Sequence, residues 1–170
     1  MAREIERKFL VRDLPAGLNK RPCASIVQGY LPLEKGELEI RLRRQAGKRL
    51  LTIKCGHGKS RLEAEFPVPK EQFEALWELT AGRRVAKRRY SVRGSGGLLV
   101  QLDVYQGRHR GLVTAEVEFN SKKGSVRFRP PKWFGKEVTG RGKFGNATLA
   151  RRRGVKGLGL WVTGSKGRKA

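Results

Sequence analysis

Charged and apolar residues alternate along several short runs of this sequence, and that alternation constrains the fold more than any other feature. The first run, EIERKFLV, places Glu4, Glu6 and Lys8 at alternate positions. Successive side chains of a β-strand point to opposite faces, so these three charges share one face of a predicted strand. For this run alone, the simplest interpretation is a strand whose polar face meets water.

The balance of charges is the second unusual feature. The chain has 170 residues, enough for one domain with a substantial core. It carries 39 Lys and Arg residues against 15 Asp and Glu residues, a net charge of +24. Such a charge attracts polyanions such as nucleic acid or polyphosphate, but it specifies no reaction.

Cysteine content and hydropathy indicate where such a chain works. Its two cysteines, Cys23 and Cys55, lack the spacing of a zinc site or a disulfide framework, which fits a reducing compartment. No apolar run approaches the roughly 20 residues that span a bilayer, and the first predicted strand leaves no room for a signal peptide. We therefore expect a soluble, cytoplasmic protein without membrane contact.

Eight runs with strand-like alternation are joined mostly by short turns, the pattern of an antiparallel barrel or sandwich. They lie in EIERKFLV, ASIVQGYLPL, ELEIRLR, LLTIK, SRLEAEF, RRVAKRRYSV, LLVQLDVYQG and TAEVEF. The stretch PKEQFEALWELTAG instead has helical spacing, with Pro69 suited to its start, Gly82 able to stop it and Trp77 in the core. A second helix is expected near residues 146–152, and Trp133 and Phe134 are expected in a loop packed on the sheet. The predicted class is α+β, mainly β.

Most of the scarce carboxylates fall in pairs on the charged faces of these strands, which solvation of a basic surface does not explain. The opposite faces are apolar and need cover. If helices cover them from outside, the charges point into a barrel interior and must be paired or hold ions. Clustered carboxylates suit Mg²⁺ or Mn²⁺, and clustered Lys and Arg suit phosphate oxygens. A metal together with a string of phosphates satisfies both sets.

These residues resemble the CYTH superfamily, also called triphosphate tunnel metalloenzymes. EIERKFLV is similar to its Glu-x-Glu-x-Lys signature, and the likeness continues in order through QGYL, ELEIRLR, LTIK, SRLEAEF, GRRVAKRRY, QLDVY, AEVEF and PPKWFGKEVT. It is greatest to small single-domain bacterial members. The resemblance implies an eight-stranded antiparallel β-barrel with flanking helices over residues 1–153. We expect the basic, glycine-rich tail over residues 154–170 to be mobile.

The resemblance also implies an activity, the metal-dependent hydrolysis of a triphosphate, with inorganic tripolyphosphate giving pyrophosphate and phosphate. Two Mg²⁺ or Mn²⁺ ions are implied, held by Glu4, Glu6, Glu63, Glu65, Asp103, Glu116 and Glu118. The implied phosphate-binding residues are Lys8, Arg41, Arg43, Lys54, Lys87 and Arg89. Glu4, Glu6, Glu63 and Lys87 are the candidate catalytic residues, with Lys87 placing the attacking water or protonating the leaving phosphate.

Two positions bear on regulation and rate. Tyr30 matches a tyrosine that in some relatives meets a C-terminal helix occluding the tunnel, so it is a candidate regulatory residue. Gln101 stands where such relatives usually have an acid, which puts affinity for the second metal in doubt. A homodimer is expected by analogy.

Other functions remain open at this stage. The charge of +24 and the cluster from Arg151 to Arg153 also fit a module that binds RNA or long-chain polyphosphate without turnover. Thiamine triphosphatase or adenylate cyclase activity in the same tunnel is a further alternative. GHGKS lacks the first glycine of a P-loop, so a hairpin turn is the better interpretation. His57 and His109 are expected to be solvated.

Overall fold

A computed structural model describes residues 5–33, 38–55, 62–94 and 97–158. The strands are β1 Ile5–Val11, β2 Cys23–Tyr30, β3 Leu38–Gln45, β4 Lys48–Cys55, β5 Leu62–Pro67, β6 Arg84–Arg93, β7 Leu99–Tyr105, β8 Val113–Phe119 and β9 Phe134–Glu137. The α-helices are α1 Lys70–Glu78, α2 Lys122–Arg127 and α3 Asn146–Arg151. The described chain is therefore mainly β, with all eight predicted strands and both predicted helices in place.

The strands form one antiparallel sheet in the order β5-β4-β3-β2-β6-β7-β8-β1-β9. Strand β9 and helix α2 were not predicted, and Phe134 opens β9 instead of lying in a loop. Strand β9 pairs with the outer edge of β1, where Arg7 holds Glu137 through two hydrogen bonds of 2.9 and 2.6 Å. That edge is thus occupied, and among the described residues no pairing joins β5 to β1 or β9. Within the described residues the strands form a nine-stranded sheet that is not closed, so the predicted eight-stranded barrel is not confirmed.

The hairpin turn between β3 and β4 fixes the register of these two strands, next to β5 in the sheet. Its two turn residues, Ala46 and Gly47, both have positive φ angles, 48° and 78°. Two such residues in succession make a turn that matches the twist of antiparallel strands, and glycine at the second position adopts it without a Cβ clash. From Leu38 to Gln45 the pairing with β4 is then continuous.

Much of the apolar face of the sheet is covered, as the alternation predicted, although Leu38, Leu62 and Phe66 of β3 and β5 are exposed. Phe73 and Trp77 of α1 stack with ring centroids 5.5 Å apart and pack in a cluster with Leu42, which is fully buried. Burying a side chain such as Phe73 stabilises the fold by about 2–3 kcal/mol. Trp77 is a core residue, as expected. Its ring also lies between the guanidinium groups of Arg44 and Arg84, at 4.7 and 4.4 Å.

A second apolar cluster lies on the charged side of the sheet. Its members are Leu10, Tyr30, Val85, Tyr105, Leu112, Val138, Phe144, Ala147, Leu149, Ala150, Val155 and Leu158. The strand members have the same parity as the charged residues, so the segment over residues 138–158, including α3, covers one end of the charged face. Leu158 is 2% exposed, and packed chain therefore continues past Arg153. The predicted domain boundary at residue 153 stays a prediction, and residues 159–170 lie outside the described part.

His109 corrects the expectation of a solvated residue, because only 1% of it is exposed. It ends a short 3-10 helix after β7, and its ring lies edge-on to Tyr105 at 6.4 Å. Burial lowers the pKa of this imidazole. His57 and the GHGKS segment lie outside the described residues.

Both cysteines are exposed and form no disulfide. Among the helices in the described ranges, none has the length and apolarity to cross a membrane.

Candidate active site

Strand register brings the predicted site residues onto one face of the sheet. Residues directly opposite each other in an antiparallel pair point to the same side. The pairs are Glu6 with Glu118, Lys8 with Glu116, Arg89 with Asp103, Lys54 with Glu63, Arg41 with Thr52, and Thr52 with Glu65. Arg43 lies opposite Gln28 of the central strand β2. Every predicted site residue except Glu4, which lies outside the described residues, is therefore found on this face.

One group, which we call the edge cluster, spans strands β3, β4 and β5. It consists of Arg41, Arg43, Thr52, Lys54, Glu63 and Glu65. Lys54 Nζ lies 2.5 Å from Glu63 Oε2, and Glu65 Oε2 receives Arg41 Nη2 at 3.2 Å and Arg43 Nη2 at 3.3 Å. Because β5 pairs only with β4 among the described residues, this cluster sits at an open border of the sheet.

The second group, the inner cluster, joins β1, β6, β7 and β8. It consists of Lys8, Lys87, Arg89, Asp103 and Glu116. Asp103 is completely buried and lies at its centre. Its Oδ2 accepts from Lys87 Nζ at 2.5 Å and from Arg89 Nη2 at 2.7 Å, while its Oδ1 accepts from Arg89 Nε at 2.6 Å. Glu116 contacts Arg89 with one oxygen and Lys8 with the other, both at 2.9 Å. Both carboxylates are thus bound on both oxygens by cationic groups.

The inner cluster has strongly perturbed proton affinities. Burial lowers the pKa of Lys87 to about 8, although the charge of Asp103 opposes the shift. Burial would raise the pKa of Glu116, but the charges of Lys8, Lys87 and Arg89 outweigh it and bring that pKa to about 2. Near neutral pH the cluster therefore holds both signs of charge in a mostly buried setting. Perturbed groups of this kind gather at functional sites more often than elsewhere.

The two clusters lie close enough on this face for their charges to interact. Burial lowers the pKa of Arg43, and the positive charges of Arg41 and Arg89 lower it further. Arg41 and Arg43 belong to the edge cluster, whereas Arg89 belongs to the inner cluster, so the two groups are electrostatically coupled. An anion between them would relieve this repulsion among like charges.

Two further carboxylates that are open to solvent lie outside both clusters. Glu6 and Glu118 are exposed and directly opposite each other in the β1–β8 ladder. Opposed residues of an antiparallel pair have Cβ atoms about 5 Å apart, which lets two carboxylates reach one ion. Among the described residues, however, no group of three or more His, Cys, Asp or Glu side chains is arranged to hold a metal. Gln101 lies opposite Glu116, and its Oε1 is 3.3 Å from the Ser91 hydroxyl.

Two tyrosines stand at the covered end of the face. The Tyr30 hydroxyl accepts a hydrogen bond from Gln28 Nε2 at 2.6 Å, and burial raises the pKa of this tyrosine. The Tyr105 hydroxyl donates to Asn146 Oδ1 of α3 at 2.7 Å. Tyr30 shares its apolar cluster with Leu149 of α3. The helix is thereby held against the end of the charged face.

Sequence reasoning overlooked two polar residues of this face, Thr52 and Gln28. Both are buried, at 0% and 2% exposure, and both bond to predicted site residues. Each has the parity of a predicted residue in its strand, Lys54 in β4 and Tyr30 in β2. The alternation of side chains along each strand could have identified Thr52 and Gln28, but the candidates were chosen by charge and these two side chains are neutral.

The chain is similar over most of its length to known proteins. The chain is 44% identical over 147 residues to an inorganic triphosphatase of Nitrosomonas europaea, covering 86% of this chain and 96% of that protein. It is 32% identical over 158 residues to an inorganic triphosphatase of Acetivibrio thermocellus, covering 89% and 95%. The crystal structure of the inorganic triphosphatase NE1496 superposes with a TM-score of 0.72 at 41% identity, over 89% of this chain and 97% of that one. No protein-family model matches the sequence. Identity at this level over nearly the whole length shows that the chain belongs to the inorganic triphosphatase family.

Proposed function

We propose that this protein hydrolyses inorganic tripolyphosphate to pyrophosphate and phosphate with the help of Mg²⁺ or Mn²⁺. The observation that carries the proposal is that two clusters, each combining acidic and basic side chains, lie on one face of the sheet in a chain that belongs to this family. In this proposal the face is the wall of a CYTH-type tunnel, with β1 to β8 around the phosphate chain.

The six cations of the face bind the phosphates. They are Lys8, Arg41, Arg43, Lys54, Lys87 and Arg89. Lys8 and Lys87 are buried, the other four are partly open to solvent, and each of the six is within 4.0 Å of a carboxylate. A phosphate chain concentrates several negative charges in one ligand and offers several oxygens to each guanidinium fork. Tripolyphosphate can therefore replace the carboxylates as the partner of the more exposed cations.

The acids divide into two roles. Glu6 and Glu118, together with Glu4, fit a divalent cation, because Mg²⁺ is commonly held by one or two carboxylates plus water and substrate phosphates. A second ion would use Glu63 and Glu65. A bound cation would supply charge neutralisation and a water of lowered pKa.

Asp103 and Glu116 were first expected among the metal ligands, and we now assign them a different role. Both oxygens of each are occupied by lysine or arginine, and Asp103 has no exposure to solvent. We place them as counter-ions that orient Lys8, Lys87 and Arg89 toward the phosphates.

Lys87 holds a proton at Nζ close to the phosphate-binding face. A pKa of about 8 lets it be protonated at neutral pH and still release that proton readily. We propose that it orients the reacting phosphoryl group and donates its proton to the leaving phosphate.

The proposal is tested by phosphate release from tripolyphosphate by the wild-type protein and the Glu6→Gln and Glu63→Gln variants. We expect metal-dependent release by the wild type and loss of at least 100-fold in kcat in each variant, with unchanged circular dichroism. An exposed carboxylate off the charged face supplies the control Glu78→Gln, which should keep full activity. Wild-type release that persists in excess chelator would refute the metal-dependent mechanism.

A second function, binding of RNA or long-chain polyphosphate, is favoured by one surface. The segment over residues 138–158 contains no acid, and its cations Arg141, Lys143, Arg151, Arg153 and Lys156 are exposed. Such binding should weaken steeply with salt as counterions are released. Replacing the exposed Arg151, Arg153 and Lys156 by glutamine should weaken it while sparing tripolyphosphate hydrolysis, whereas equal loss of both would contradict separate sites.

A further inference from the structure

Thr52 occupies a singular place between the two signs of charge in the edge cluster. It lies on β4, directly opposite Arg41 of β3 on one side and Glu65 of β5 on the other. The three residues form one row across three strands, and Thr52 is completely buried beneath its two charged neighbours. Any side chain at this position decides how closely the arginine and the carboxylate approach.

The contacts of the Thr52 hydroxyl close a triangle. Its Oγ1 lies 2.9 Å from Arg41 Nη2 and 2.7 Å from Glu65 Oε2, and the two charged groups are themselves 3.2 Å apart. A guanidinium only donates hydrogen bonds, and an ionised carboxylate only accepts them. The single hydroxyl proton therefore goes to Glu65, and an oxygen lone pair accepts from Arg41. Both bonds involve an ionised partner, which makes them stronger than bonds between neutral groups.

The branched side chain of Thr52 and its burial hold the hydroxyl between Arg41 and Glu65 in a fixed position. Threonine is branched at Cβ, so few χ1 rotamers are open to it in a strand, and full burial removes the remaining freedom. Arg41 and Glu65 have long side chains that would otherwise sample several rotamers. A fixed hydroxyl thus holds two mobile ionic groups in one arrangement before any ligand arrives.

We infer that Thr52 is a positioning residue that holds the Arg41 guanidinium and the Glu65 carboxylate ready for the phosphate chain. This inference rests on the proposed function, since it assigns Arg41 to phosphate binding. When phosphate oxygens take up Arg41, Thr52 still donates to Glu65 and keeps that carboxylate in place. The residue itself does not touch the reacting atoms.

The test uses Thr52→Val, which keeps the shape and removes the hydroxyl, and Thr52→Ser, which keeps the hydroxyl. Calorimetric titration of the full chain with tripolyphosphate in EDTA measures binding without metal and without turnover. We expect about tenfold weaker binding for Thr52→Val and a change within about twofold for Thr52→Ser. Thr114→Val is the matched control, because Thr114 is a buried strand threonine of the same face whose hydroxyl forms no hydrogen bond with an arginine or a carboxylate. Equal binding by wild type and Thr52→Val, or equal weakening by Val and Ser, would overturn the inference.

A second measurement keeps the inference separate from the proposed function. In ¹⁵N-arginine spectra of the ligand-free protein, assigned with Arg41→Lys, restricted rotation of the Arg41 Nη2 group should be visible in the wild type and Thr52→Ser. It should be lost in Thr52→Val and also in Thr52→Ala, which serves if the valine variant folds poorly. Failure of the wild type to bind tripolyphosphate would refute the proposed function, whereas an unchanged Arg41 signal in Thr52→Val would refute the positioning role.

Discussion

Replacing Asp103 by asparagine is the perturbation whose result follows most directly from the geometry of the inner cluster. Asn has nearly the same shape as Asp, so the change removes the charge without opening a cavity. It leaves Lys87, which is 2% exposed, with a neutral amide in place of its ion-pair partner. Removing one member of a buried ion pair costs about 3–5 kcal/mol, because the remaining charge stays buried and uncompensated.

The expected loss lies at the lower end of that range. Arg89 is 22% exposed at its side chain and also contacts Glu116 at 2.9 Å, so it retains a partner when Asp103 is neutral. We therefore expect Asp103→Asn to lower the free energy of unfolding by about 3 kcal/mol. For a chain of this size that corresponds to a fall in Tm of about 6–12 °C. Losing the negative charge should also lower the pKa of Lys87 further.

Urea unfolding at pH 7 in EDTA measures this loss without interference from metal. The control Glu78→Gln neutralises an exposed carboxylate and should change stability by less than about 0.5 kcal/mol. If Asp103 instead served as a metal ligand, its charge would repel neighbouring carboxylates in EDTA. Asp103→Asn would then be as stable as the wild type or more stable, and that result would refute the counter-ion role.

Three further predictions concern pH and the covered end of the face. The pKa of Glu116 is about 2 in the folded chain and near 4.5 in an unfolded one, so the stability it contributes is complete above pH 4.5 and is lost as pH falls toward 2. Urea midpoints of Glu116→Gln should therefore fall less steeply than wild type across that interval, and parallel curves would contradict the shift. With protonated Lys87 required, kcat/KM should fall as pH rises through about 8, and Lys87→Arg should move this limb to higher pH. Tyr105→Phe removes the bond to Asn146 and should cost about 1 kcal/mol, with faster hydrogen exchange in α3. Adding Asn146→Ala to Tyr105→Phe should bring little further loss, whereas fully additive losses would show that the bond is unimportant.

The charged face was largely predictable because parity in a strand is a strict rule. Once Glu63 and Glu65 are assigned to a strand, they must share a face, and the same holds for Lys87 and Arg89. Which acid meets which base depends on register between strands distant in sequence, which alternation alone does not determine. The resemblance implied that Asp103 binds metal, whereas the β6–β7 register places it opposite Arg89, and its side chain contacts both Lys87 and Arg89.

Elements that depend on tertiary contacts were not visible in the sequence. Strand β9 has only four residues and follows two prolines, so its pairing with β1 rests on the bidentate contact of Arg7 with Glu137. His109 lies in a Gly- and Arg-rich segment typical of an exposed turn, yet it is buried and hydrogen-bonded to the backbone of Leu149 in α3. The position of β9 and the burial of His109 both depend on contacts with segments that are distant in the sequence.

Metal-dependent hydrolysis of tripolyphosphate is tested most directly by measuring phosphate release from tripolyphosphate, ATP and thiamine triphosphate in parallel, with Mg²⁺, with Mn²⁺ and with chelator. We predict rapid release from tripolyphosphate with either metal, little release from the two organic triphosphates, and none in chelator. Absence of turnover with all three substrates in the presence of metal, or full turnover in chelator, would contradict this prediction.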